Sequence, residues 1–131
     1  MTLDSAPRST HSALLVMVHG SPRPASNGAM FEVVEQVRAT NAFDLVSVGF
    51  MELNEPTIPA AIDELVASGA TEVVAVPYFL HTGTHVADDL PTLLETAQQK
   101  YPTVAFTMGD YLGHDPALMD VLAERAREVA R

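Results

Sequence analysis

The sequence predicts an α/β domain built on a four-stranded, mostly parallel sheet with helices on both faces. Two observations carry this. From Ala13 onward, short apolar runs of strand length alternate with amphipathic stretches of helix length, and the alternation repeats through four units. A length of 131 residues, with 47% hydrophobic and 18% charged residues, suits one domain with a real core rather than a disordered chain. Residues 1–12 mix Ser, Thr, Asp, Pro and Arg without period and read as a disordered terminus that includes His11, leaving 13–131 as the single domain.

The first unit joins a strand at Ala13 to Val18 with a helix from about Ser26 to Ala39. Met30, Val33, Val34 and Val37 recur there at helical spacing, and Ser26 or Asn27 can cap the start. The second runs from Leu45 to Met51, then into a helix capped by Thr57, with Pro59 in the first turn, Ile58, Ile62, Leu65 and Val66 inward, and Gly69 as its stop. In the third, a strand from Glu72 reaches Pro77, which cannot donate to a ladder, so pairing should end there and a loop open. A helix should restart near Asp88 or Asp89, which read as caps, with Pro91 early and Leu90, Leu93 and Leu94 available for burial. The fourth pairs a strand at Val104 to Met108 with a helix capped by Asp115 and opened by Pro116, with Leu118, Val121, Leu122 and Val129 expected to face inward.

Charge and composition remove several classes of function. A net charge of −10 without a basic cluster opposes nucleic acid phosphates. The longest apolar runs are about half the roughly 20 residues that a bilayer crossing needs, and Met1 to Ser12 lacks the apolar centre of a secretory signal, so a cytoplasmic protein away from membranes is expected. With no cysteine, any metal site must use nitrogen and oxygen ligands.

The chemistry gathers at strand ends. His19 follows the first apolar strand and His85 the third, within Leu80-His81-Thr82-Gly83-Thr84-His85. In a parallel sheet the carboxyl ends of the strands share one crevice, so two imidazoles far apart in sequence can face one ion. Gly20 leaves room for a ligand to approach the backbone, although His19 could equally do no more than brace a turn. Glu52, Asn54 and Glu55 follow the second strand and reach the same rim if the connections are right-handed, where a carboxylate could be metal ligand, proton acceptor or merely a capping or solvated acid. His114 reads first as a helix-entry residue, and Arg23 as a surface arginine able to fork onto a carboxylate.

Five stretches, from Leu14 to Ser21, Phe50 to Thr57, Val76 to Leu80, Gly83 to Pro91 and Leu112 to Pro116, resemble in order and spacing the short CbiX-type sirohydrochlorin chelatases, the CbiX/SirB group of class II chelatases. The resemblance implies a flavodoxin-like, chelatase-like fold. It also implies insertion of a divalent metal, Co2+ or Fe2+, into sirohydrochlorin on the way to cobalamin or sirohaem. His19 is then metal ligand and proton acceptor, and His85 the second ligand. Asn54, Glu55, Leu80, His81, Thr82, Gly83 and Thr84 would line the macrocycle. The metal (Co2+, Fe2+ or Ni2+) is substrate, no organic cofactor is implied, and a single half of this kind is expected to pair as a homodimer. Two other readings compete: a non-catalytic metal carrier of the same fold, and a small α/β hydrolase. The hydrolase reading lacks a nucleophile, since no Gly-x-Ser-x-Gly is present.

Overall fold

The computed structural model describes residues 11–130. Four strands, β1 (Ser12–Val18), β2 (Leu45–Phe50), β3 (Glu72–Pro77) and β4 (Ala105–Met108), form one sheet in the order β2-β1-β3-β4, with every pair parallel. The helices are α1 (Pro24–Ala39), α2 (Ile58–Ala67), α3 (Leu90–Lys100) and α4 (Pro116–Val129). The chain leaves β1 toward β2, then crosses back over it to β3, so the topological switch point lies between β1 and β3, where α/β sheets open a crevice at their carboxyl ends.

Alternate residues of β1 feed two cores, as the period of a strand dictates. Ala13, Leu15 and Met17 join Ile58, Ala61, Ile62 and Leu65 of α2, Val73 and Ala75 of β3, and Leu90 and Leu94 of α3. Val16 faces the other way, with Met30 and Val34 of α1 and Val46, Val48 and Phe50 of β2. Helices therefore cover both faces, as expected. Thr57 caps α2 by accepting from the Ala60 N–H, and Asp115 caps α4 through the Ala117 N–H.

Four expectations need correction. The sheet reaches further back than Ala13: Ser12 lies in β1, and the His11 N–H donates to the Thr71 hydroxyl at 2.8 Å, so these two residues of the expected frayed terminus are ordered, whereas 1–10 lie outside the described residues. Helix α1 starts at Pro24, two positions before Ser26, and no side chain caps it; the Asn27 amide instead reaches back to the Ser21 carbonyl. The third helical segment starts at His85, not Asp88, through a π-helix over His85–Asp89. Pro91 has no N–H to offer the Ala87 carbonyl, so the α-type ladder cannot run unbroken there and the turn widens, the Leu90 N–H reaching the His85 carbonyl. Neither Asp88 nor Asp89 caps α3 with its side chain.

The largest departure is α4. It buries no side chain, and three of the residues expected inward stay open, Val121 at 47% exposure, Leu122 at 66% and Val129 at 80%. Leu118 is half-buried. The helix is amphipathic, yet its apolar stripe is not covered by the chain's own sheet.

Candidate metal centre

His19 leaves the carboxyl end of β1, and His85 opens the π-helix after β3, on the two sides of the switch point. Their rings come together, with centroids 5.2 Å apart and planes tilted by 55°. Both are about half exposed, at 44% and 47%, so they are open to a ligand.

Each ring is held by its Nδ1. In His19 this atom lies 3.0 Å from the Gly20 carbonyl oxygen, which can only accept, so Nδ1 carries the proton. In His85 it lies 2.8 Å from Oδ2 of Asp89, again an acceptor when ionised. In its neutral form each ring thus keeps an Nε2 lone pair for an external cation. The Nε2 atom of His19 lies 3.3 Å from Oε1 of Glu52. Two acceptors facing one another across that gap repel unless a cation lies between them, and either a proton on His19 or a metal ion satisfies the arrangement.

The loop that brings Glu52 to this rim is pinned at several points. The Met51 N–H donates to the Val18 carbonyl at 2.8 Å and the Glu52 N–H to the His19 carbonyl at 3.1 Å, extending the β1–β2 pairing past its end. The Ser21 N–H donates to the Asn54 side-chain oxygen at 2.9 Å. Gly20 has φ +104°, and a Cβ there would sit 2.0 Å from the Glu52 carbonyl oxygen, so only glycine lets the two loops touch. Leu53 takes φ 71° in the same loop, a conformation that costs a side-chain-bearing residue about 1–2 kcal/mol and persists because its neighbours over-determine it.

The residues expected to line a macrocycle divide between two grooves, neither of them lined by His19 or His85. Leu80 and His81 line a groove of about 460 Å³ with His114, Leu118, Leu122 and Arg125. Asn54 and Glu55 line another, of about 400 Å³, with Asn27, Phe31 and Leu53. Thr82, Gly83 and Thr84 are exposed in the loop leading to His85. Asn54 already serves as acceptor for Ser21, and the exposed Arg23 leads into α1. Glu52, weighed from the sequence as a ligand or proton acceptor against a merely solvated acid, lies beside the His19 ring, and Asp89, which looked like a cap, lies beside the His85 ring. Among the described residues, no group of three or more His, Asp or Glu side chains is gathered closely enough to enclose an ion, so the centre is open rather than a structural cage.

Comparison with known proteins finds relatives by sequence and by fold. The chain is 44% identical over 82 residues to a sirohydrochlorin cobaltochelatase of Methanococcus maripaludis, a match spanning 63% of this chain and 57% of that protein's length. It is 32% identical over 124 residues to the sirohydrochlorin cobaltochelatase of Methanococcoides burtonii, covering 88% of this chain and 95% of the relative. Among solved structures, the sirohydrochlorin chelatase SirB of Bacillus subtilis subspecies spizizenii, in complex with cobalt, superimposes with a TM-score of 0.87 at 28% identity; the match covers 93% of this chain and 52% of SirB. The CbiX family model matches residues 13–129, and with that span the chain belongs to the CbiX family.

Proposed function

We propose that this protein is a sirohydrochlorin chelatase that inserts a divalent metal, Co2+ foremost and Fe2+ or Ni2+ by the same chemistry, into the tetrapyrrole. The observation that carries the reading is the facing pair of acceptors, His19 Nε2 and Glu52 Oε1 at 3.3 Å, beside a second imidazole 5.2 Å away between ring centres. Metal insertion exchanges one divalent ion for two pyrrole protons, so a competent site must hold a cation loosely and accept protons at the same place. Imidazole nitrogen suits cobalt, iron and nickel, and His19 with Glu52 can take up the protons as the ion leaves. His85 is read as the second ligand. Leu80 to Thr84 on one flank, and Asn54 with Glu55 on the other, are read as the walls against the macrocycle.

The acidic chain opposes an anionic tetrapyrrole, and we read the exposed Arg23 as a local positive charge that offsets this, whereas Arg125 in the Leu80 groove is already paired with Glu128 at 3.0 Å. A second copy of the chain is the partner that best fits the uncovered stripe of α4. SirB, about half of which this chain matches, is consistent with two such halves acting together. Operation in the cytoplasm, in cobalamin or sirohaem synthesis, follows from the same reading; among the described residues, no helix is long and apolar enough to cross a membrane.

Anaerobic absorption spectra of sirohydrochlorin with Co2+ and catalytic amounts of protein test the proposal. A protein-dependent, metal-dependent band shift is expected, with His19→Ala and His85→Ala each lowering turnover at least about 100-fold, while His11→Ala retains wild-type rates. Tight Co2+ binding without any acceleration of the band shift would instead make the protein a carrier. Equal activity of the three variants would defeat the site.

A further inference from the structure

The two rings present the same nitrogen but are held by different acceptors. His19 donates to a neutral backbone carbonyl, His85 to a carboxylate at 2.8 Å. We infer that Asp89 is a positioning residue that locks His85 in its Nδ1–H form and makes it the stronger of the two metal ligands. This deepens the chelatase reading and rests on it.

Three features support the inference. A free histidine side chain carries its neutral proton mainly on Nε2, so a site that needs Nε2 as donor must hold the proton on the other atom. A carboxylate does so and adds electron density to the ring, which raises its basicity toward a metal. Stability offers little reason for the contact, because both side chains are nearly half exposed, at 47% and 46%, and such pairs contribute little to folding. The pair also spans the whole π-helix, an irregularity that recurs at functional sites and here runs straight into α3 at Leu90. Asp88 lies beside Asp89 but does not share its role: its carbonyl accepts the Thr92 hydroxyl, and its side chain is exposed.

The inference assigns unequal tasks. His85 anchors the incoming ion, and His19, whose ring has only a carbonyl behind it and Glu52 in front, is the ligand that gives way when pyrrole nitrogens take over. Loss of Asp89 should therefore weaken capture of the metal more than it slows the chemical step.

The deciding measurements use the metal-free and Co2+-titrated protein without tetrapyrrole, and turnover assays supplement them. Long-range proton–nitrogen NMR correlations at about pH 9, more than two units above the ordinary histidine pKa, report which nitrogen of each ring carries the proton. Wild type should show Nδ1–H at both His19 and His85. In Asp89→Ala, His85 should move toward Nε2–H while His19 stays unchanged, and the Co2+ affinity should fall about 10–100-fold. Asp89→Asn, which keeps an acceptor oxygen without the charge, should hold the tautomer and lie between the two in affinity, and Asp88→Ala should match wild type throughout. In turnover assays, Asp89→Ala should raise KM for Co2+ more than it lowers kcat. An Nε2–H signal for His85 in wild type would overturn the inference even if Asp89→Ala failed to fold. So would an Asp89→Ala variant with an unshifted tautomer or with Co2+ affinity within about twofold of wild type, taking 10-fold as the least expected loss. If Co2+ affinity were indifferent to His19→Ala and His85→Ala, the metal-site reading itself would fall, an outcome distinct from failure of the positioning role alone.

Discussion

Replacement of Gly20 by alanine is the sharpest perturbation the structure offers, because its effect can be worked out from contacts. Gly20 has φ +104°, and the added Cβ would lie 2.0 Å from the Glu52 carbonyl oxygen, 3.1 Å from its carbon and 3.2 Å from the Asn54 side-chain oxygen. The nearest of these is backbone, so no rotamer change relieves the overlap. A positive φ at a non-glycine residue costs about 1–2 kcal/mol. Driving the loops apart also breaks the Glu52 N–H to His19 carbonyl bond and the Ser21 N–H to Asn54 bond, at about 1 kcal/mol each. The sum is about 3–4 kcal/mol, which for a domain of this size lowers Tm by roughly 10–15 °C. Because Glu52 moves with the displaced loop, Co2+ affinity should drop at least about 10-fold, the equivalent of 1.4 kcal/mol. Gly28→Ala is the control: it lies in α1 with nothing within 4 Å of the added carbon, so it should stabilise by about 0.5–1 kcal/mol. Thermal unfolding followed by circular dichroism, paired with calorimetric Co2+ titration, reads both quantities. A Gly20→Ala protein that melted within about 3 °C of wild type, less than 1 kcal/mol at this size, and bound Co2+ normally would refute the claim that contact between these loops builds the site.

Two further outcomes follow from other parts of the molecule. Asp63 is held below the usual carboxylate range, first by the Tyr101 hydroxyl at 2.5 Å and then by the Lys100 ammonium at 3.0 Å. A depressed pKa stabilises the fold fully above the unfolded value of about 3.9 and loses that contribution as pH falls through the lower folded value. Urea midpoints measured from pH 6 down to pH 2 should therefore fall more steeply for wild type than for Asp63→Asn, and parallel curves would contradict the assignment. On α4, Leu122→Glu places a charge in the exposed apolar stripe; sedimentation should show a dimer for wild type and a monomer for the variant, with helix content unchanged, and a wild-type monomer at about 100 μM would exclude self-pairing through this face, since Kd would then exceed the micromolar range of specific complexes.

How much of this was legible in the sequence depends on the kind of information each feature requires. The strands and the meeting of His19 with His85 follow from local pattern plus one topological rule, that parallel strands present their carboxyl ends together. The orientation of each ring does not follow, because it depends on which acceptor lies behind Nδ1. The Gly20 carbonyl could be guessed from adjacency. The Asp89 carboxylate was missed, since Asp before Leu-Pro reads as a cap and a helix expected to start only at Asp88 or Asp89 leaves His85 in the loop, hiding the i,i+4 pairing that a helical turn over His85–Asp89 makes. The α4 stripe fails differently. Periodicity reports that one face is apolar, and is silent on whether the chain itself or another surface covers it. Val74 and Val76 of β3 and Ala105 and Thr107 of β4 are half-buried or exposed too, so the sheet face opposite α2 and α3 is also incompletely covered on this side.

Openness at the metal centre then has a functional consequence. An ion held with Kd near 1 nM would require about 12 kcal/mol to strip, a barrier that incoming pyrrole nitrogens would have to overcome before forming their own bonds. Half-exposed rings, two of them with a single facing carboxylate, avoid such a trap, and water can complete the coordination sphere until the macrocycle replaces it. On the proposed function, the unequal backing of the rings would set the order of release: the ring supported by a carboxylate would keep the ion longer, and the one supported by a carbonyl would give way first and be free to accept a proton. An enclosed cage of four ligands would bind more tightly and transfer nothing. In the proposed function, the same exposure that would make the centre a poor metal store would let it pass an ion on.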